Sequence, residues 1–180
     1  MELKLPKIKQ QLIKKFSAKK IVAAIGDDAN NTSALINELF PSAAYERNKD
    51  SLFEIAYKSD DYDVIHISNT NNNPLETREK AADVLYNDGT RLLIIYVDAA
   101  KNTGALIDSA TYAFGIEEKV IFVVNYPESI DEHQISEDRE ILRRIFEKDI
   151  ALYPISSYSV GLVKSSIMSK IEENMKEQPQ

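Results

Sequence analysis

Two kinds of hydrophobic pattern alternate along the chain. Short apolar runs, many of them β-branched, lie at Ile21–Ile25, Leu52–Tyr57, Tyr62–Ile67, Arg91–Val97, Lys119–Val124 and Ile150–Tyr153. Their length and composition predict strands, the central ones buried on both faces. Between them lie segments with apolar residues three and four apart, which predict helices. The first helix covers Thr32–Phe40, with Leu35, Ile36, Leu39 and Phe40 on one stripe. The second begins at Asn73-Pro74, with Glu76 three residues on, and runs to Tyr86 before Asn87-Asp88-Gly89. A third is expected from about Asn102 to Phe114, closed by Gly115. A fourth is capped by Ser136 and runs through Phe146, and a last one spans about Ser159 to Lys176. The polar stretch Pro41–Asp50 reads as loop.

Lys58-Ser59-Asp60-Asp61 is short and polar, so residues 52–57 and 62–67 are expected to pair as an antiparallel edge hairpin. The strand–helix alternation after it predicts an α/β fold, a doubly wound and mostly parallel sheet of about six strands. Ligands of such sheets sit at the carboxyl ends of the strands, which directs attention to residues 26–33, 68–73, 98–104, 125–128 and 156–158. This domain covers residues 20–176, followed by a tail at 177–180.

Residues 1–19 read as an added basic amphipathic helix, with Pro6 in its first turn and a stripe of Ile8, Leu12, Ile13 and Phe16. Two uses fit: a helix packed on the outside of the domain, or an arm for an anionic surface such as RNA or a membrane. Charge sharpens this segment's contrast with the rest. Residues 1–20 hold seven Lys and one Glu, a net +6, while the remaining 160 carry 15 basic and 28 acidic residues, a net −13. An acidic body argues against general nucleic-acid binding by the core. The 180 residues suit one domain, and the 43% apolar and 28% charged shares are ordinary for a soluble protein. No run reaches membrane-spanning length and no secretory core is present, so a cytoplasmic protein is expected. The absence of cysteine excludes disulfides, thiolate metal sites and cysteine nucleophiles. His66 and His133 are too few and too scattered for a zinc site.

The chemistry concentrates at Gly26-Asp27-Asp28-Ala29-Asn30-Asn31-Thr32-Ser33. Strand, glycine, polar loop, Ser and helix is the layout of a P-loop, which cradles phosphates with backbone N–H groups, a helix N-terminus and a lysine. Gly26 and Ser33 stand at the two ends of the motif. Asn31 takes the place of the second glycine and Thr32 that of the lysine. No basic residue nearby replaces the lysine, and Asp27 and Asp28 add negative charge.

Together with later loops, this stretch resembles the G domain of elongation factor Tu and related translational GTPases over about residues 20–174. Asn125-Tyr126-Pro127-Glu128 falls where that family has Asn-Lys-x-Asp, and Ser156-Ser157-Tyr158 where it has a Ser-Ala-Lys or Ser-Ala-Leu loop. The resemblance implies a P-loop GTPase-like fold. It also implies a nucleotide site at Gly26, Asp27, Asn30, Asn31, Thr32, Ser33, Asn125, Glu128, Ser156 and Ser157, with Ser33 and Asn69 nearest a magnesium ion. The departures fall on the chemistry. Asp-x-x-Gly reads as Asn69-Thr70-Asn71-Asn72, Asn73 replaces the water-orienting histidine, and no threonine lies between Pro41 and Asp50. Catalysis of phosphoryl transfer rests on positioning and charge stabilisation, so these losses leave no residue assigned as catalytic.

Three functions stay open at this level. The leading one is a degenerate, pseudo-GTPase G domain that binds GTP or GDP with magnesium weakly or not at all, does not hydrolyse GTP at a useful rate, and serves as a protein-interaction module. The second is a working GTP-binding protein with non-standard motifs. The third is a nucleoside-deoxyribosyltransferase-like enzyme, with Gly104 to Asp108 ahead of Tyr112-Ala113-Phe114-Gly115 as its loop.

Overall fold

The computed structural model describes residues 20–43, 46–47, 53–68, 73–87, 89–101, 104–129 and 131–176. The expected N-terminal helix, Asn69 and the tail lie outside the described residues. Strand β1 (Lys20–Gly26) leads to helix α1 (Ala29–Leu39), then β2 (Glu46–Arg47), β3 (Phe53–Lys58) and β4 (Tyr62–Ile67). Helix α2 (Pro74–Leu85), β5 (Thr90–Asp98), α3 (Ala105–Ala110), β6 (Val120–Tyr126), α4 (Glu132–Phe146), β7 (Ala151–Ser156) and α5 (Lys164–Lys176) follow.

All the strands join one sheet in the order β2-β3-β4-β1-β5-β6-β7. β1 lies parallel between β4 and β5, β6 pairs parallel with β5, and β7 pairs parallel with β6. β3 runs antiparallel to β4, with Ile55 opposite Ile65 and Lys58 opposite Asp63. The mixed α/β sheet and its hairpin are therefore as the sequence pattern predicts. Beyond that pattern, two residues of the expected loop, Glu46 and Arg47, pair with Glu54 and Ile55 and extend the sheet past β3. Two residues carry no readable alternation, which is why the pattern missed them.

Period-two alternation divides the strands between two cores. Ile21, Ala23, Ile25, Leu93, Ile95, Val97, Phe122 and Val124 point to one face, where they meet Val84 and Leu85 of α2, Leu106 of α3 and Leu142 of α4. Val22, Ala24, Leu92, Ile94, Tyr96, Ile121 and Val123 point to the other, against Leu35, Ile36 and Leu39 of α1 and Ile167 and Ile171 of α5. Helices on both faces make the sheet doubly wound.

Several element limits differ from the pattern, each for a local reason. α4 starts at Glu132 because the Asp131 carboxylate, and not Ser136, caps it by accepting from the Gln134 N–H at 3.0 Å. The buried stripe of α4 then includes Asp138, whose carboxylate accepts a 2.6 Å hydrogen bond from the Tyr126 hydroxyl. Burial, reinforced by that carboxylate, raises the Tyr126 phenol pKa. α3 is shorter than predicted: after Ala110 the chain tightens into a 3₁₀ turn, Thr111–Ala113, that buries Tyr112 and Ala113, and Gly115 follows at φ +86°. β7 runs on through Pro154 and Ile155 to Ser156, which Pro tolerates at this outer edge of the sheet.

Candidate functional site

β1 and β5 are neighbours whose following connections leave toward opposite sides of the sheet, so their carboxyl ends form a topological switch point. Gly26, Asp27 and Asp98 stand there. Only Asp27 and Asp28 separate β1 from α1. The longer loop expected through Asn31 is replaced by helix from Ala29 onward. Asp28 provides the reason, as an N-cap in extended conformation whose Oδ1 accepts from the N–H of Asn30 at 2.9 Å and of Asn31 at 3.0 Å. Its carbonyl accepts from the Thr32 N–H at 3.0 Å and from Thr32 Oγ1 at 2.7 Å. The amides that a P-loop would turn toward phosphate thus carry hydrogen bonds to Asp28.

Thr32 is fully buried, with Oγ1 lying over Gly26. A β-carbon on Gly26 would come within 2.1 Å of that oxygen and 3.1 Å of the Tyr96 carbonyl. Gly26 therefore serves close packing of α1 onto β1 and β5. Asn31 is half-buried, Asn30 is exposed, and Ser33 follows them in the same helix.

Asp98, 1% exposed, is the hub of the site. Its backbone N–H donates to Asp27 Oδ2 at 3.2 Å. Its carboxylate accepts from Asn125 Nδ2 at 3.2 Å and from Asn31 Nδ2 at 3.4 Å. The Lys101 ammonium lies 3.8 Å from Asp98 Oδ2 and 3.8 Å from Asp28 Oδ2. Burial, opposed by the Asp98 N–H and reinforced by the Asp98 charge, raises the Asp27 carboxyl pKa. Burial, with the charges of Asp98 and Asp27 adding to it, also raises that of Tyr96.

Asn125 is buried and bonded through both side-chain polar atoms: besides its Nδ2 donating to Asp98, its Oδ1 accepts from the Tyr158 N–H at 2.9 Å. It ties the end of β6 to the loop after β7. That loop holds Ser157 at φ +51° and Tyr158 at φ +57°, a left-handed pair that costs roughly 1–2 kcal/mol per non-glycine residue. Glu128 and Ser157 meet directly, the Ser157 hydroxyl donating to the carboxylate. Ser156 forms a bridge with Ser159.

The fold thus brings Gly26, Asp27, Asn31, Thr32 and Asn125 together, with Glu128, Ser156 and Ser157 around the next loop. Asp98, Lys101 and Tyr158 were not singled out from the sequence as site residues. Their signal was positional, since Asp98 ends a parallel strand and Lys101 and Tyr158 lie just beyond the carboxyl ends of β5 and β7. Lys101 also corrects the expectation that no cation stands near the altered motif, because it arrives from a different loop. Asp108 is exposed on α3. Among the described residues, no group of three or more His, Asp or Glu side chains is arranged to hold a metal ion. No helix among them is long and apolar enough to cross a membrane.

No family model and no curated protein matches the sequence. Solved structures match the fold. A variant of Era from Aquifex aeolicus bound to GDP and AlF4⁻ aligns with a TM-score of 0.56 at 16% identity, over 88% of this chain and 57% of its own. The GMPPNP form of the cytosolic domain of the FeoB iron transporter from T. maritima aligns with 0.53 at 19% identity, over 90% of this chain and 66% of its own. A Sar1-type GTPase from Encephalitozoon cuniculi in complex with GDP gives 0.51 at 13% identity, over 94% and 83%. The chain therefore spans somewhat under three fifths of the Era chain it matches. These likenesses span several kinds of GTPase without selecting the translational ones, and what they share with this chain is the P-loop GTPase fold.

Proposed function

We propose that this is a pseudo-GTPase: a G-domain scaffold that works as a protein-interaction module without a bound nucleotide. The observation that carries the reading is the Asp28 cap, which places a carboxylate on the Asn30 and Asn31 amides where a phosphate would be held. Asp27 and Asp98 add further carboxylates beside it. An incoming phosphate would meet three acids, one lysine and no free turn of helix, so a nucleotide's phosphates do not fit the residues present. Asn125 and Glu128, the counterparts of base-reading residues, are engaged with Asp98, Tyr158 and Ser157. Leu75 and Ile107, each more than half accessible, are exposed apolar side chains that a protein partner would cover.

One observation favours a second reading, a GTP binder with non-standard motifs. Lys101 is positioned between Asp28 and Asp98 and mostly exposed, so it could turn to a phosphate if Asp28 withdrew. Calorimetry with GTP and with GDP, each with and without magnesium, separates the two. The pseudo-GTPase reading expects no saturable heat with millimolar nucleotide. Magnesium-dependent binding in the micromolar range, weakened by Lys101→Met, supports the second reading and defeats the first.

A further inference from the structure

At the end of the sheet opposite the carboxylate cluster, three aromatic side chains gather beside the start of β1. Phe40, following α1, stacks on Tyr57 of β3 with ring centroids 5.0 Å apart. Tyr62, the first residue of β4, lies 6.3 Å from both. Tyr57 and Tyr62 are only half-buried. Lys20, where the described chain begins, pairs in register with Tyr62, and its ammonium donates to the Met175 carbonyl in the last turn of α5. Acidic groups border the rings. Asp60 and Asp61 are exposed in the hairpin turn, and the charges of Glu172 on α5 and of Asp61 both act on the Tyr62 hydroxyl.

We propose that residues 1–19 of the same chain dock on this patch. The stripe Ile8, Leu12, Ile13 and Phe16 would cover Tyr57 and Tyr62, and neighbouring lysines would lie beside Asp60, Asp61 and Glu172. Three arguments select this occupant. The segment is tethered at the patch: Phe16 is four residues before Lys20, within about 14 Å at full extension. A helical segment rises about 1.5 Å per residue, so Leu12 also stays within roughly 12 Å. Charge is complementary, +6 in residues 1–20 against −13 in the remainder. The carboxyl end of α5 carries partial negative charge that favours lysines, as the Lys20 contact with Met175 already illustrates. Burial of the apolar stripe is the main stabilisation, since exposed ion pairs contribute little and are screened by salt.

The sequence holds no cysteine, so a designed pair reports the contact cleanly. In the full chain, Ser17→Cys with Asp61→Cys should form an intramolecular disulfide under mild oxidation, at low salt and at about 1 M salt alike. The control pair Ser17→Cys with Glu137→Cys should react at least tenfold more slowly. Ser17 lies three residues before Lys20, so tethering alone speeds the first pair over the control; docking further predicts that adding Leu12→Asp slows the first pair severalfold. An unchanged rate on adding Leu12→Asp, equal rates for the two pairs, or disulfides formed between chains overturn the proposal. As a second readout free of cysteine, deletion of residues 1–17 should lower the melting temperature by several degrees at both salt concentrations. An unchanged melting temperature also overturns it.

Discussion

Replacing Gly26 by alanine probes how tightly α1 is drawn onto the sheet. The added methyl would lie 2.1 Å from Thr32 Oγ1, 3.1 Å from the Tyr96 carbonyl oxygen and 3.2 Å from Tyr96 Cβ. Relief at Thr32 requires a shift of about 1 Å, and the threonine is held by its 2.7 Å hydrogen bond to the Asp28 carbonyl. Either the first turn of α1 retreats or that bond breaks. Overpacking of this kind costs about 1–3 kcal/mol, and a lost hydrogen bond adds about 1 kcal/mol. The sum, about 2–4 kcal/mol, corresponds to a fall of roughly 4–16 °C in Tm for a chain of this size. Thr32→Ala removes the clashing oxygen, so the double variant Gly26→Ala/Thr32→Ala should recover part of the loss, with a coupling energy of about 1–2 kcal/mol. Recovery stays partial because the Tyr96 contacts remain. Urea denaturation of the four proteins measures the cycle. A Gly26→Ala change below about 0.5 kcal/mol, or strictly additive effects, would refute the close helix–strand packing on which the site description rests.

Asp28→Ala should cost about 0.5–2 kcal/mol by removing the cap of α1, a loss visible as a lower urea midpoint. The paired change Asn31→Gly/Thr32→Lys would restore an outward P-loop; because Thr32 is fully buried over Gly26, the pair should instead destabilise the fold by more than about 2 kcal/mol and show no gain of GTP in calorimetry. Asp27→Asn should stabilise the protein at neutral pH. The folded-state pKa of Asp27 is raised above its ordinary 3.8, so ionisation penalises the folded state above that raised pKa. The advantage of the variant should shrink as pH falls through the raised pKa and vanish below about 3.8, which Tm measured against pH in both proteins will test.

Much of the fold was legible because buried parallel strands announce themselves. Ile21–Ile25, Arg91–Val97 and Lys119–Val124 are apolar runs bounded by polar residues, and the structure places β1, β5 and β6 there. The hairpin was readable from one short polar turn. The start of α1 was not, because Asp28-Ala29-Asn30-Asn31 is equally compatible with a loop or a capped first turn. The outcome depended on whether the Asp28 carboxylate found the amides of Asn30 and Asn31. The site suffered from the same ambiguity in three dimensions. Gly26 and Thr32 were singled out by the spacing of a P-loop and Asn125 by the family resemblance, whereas Asp98 and Lys101 matter through contacts with segments about 70 residues away in sequence, and no local pattern encodes those.

The backbone amides of Asn30 and Asn31 report most directly on whether this G-domain fold has closed its phosphate position with its own carboxylate. Their resonances in a ¹H–¹⁵N correlation spectrum can be followed as GDP and magnesium are added to millimolar concentration. With the amides held by Asp28 at 2.9 and 3.0 Å, both resonances should stay in place throughout the titration. Saturable movement of both, with a midpoint in the micromolar range, would show that Asp28 yields to phosphate and that the chain is a nucleotide-binding GTPase domain.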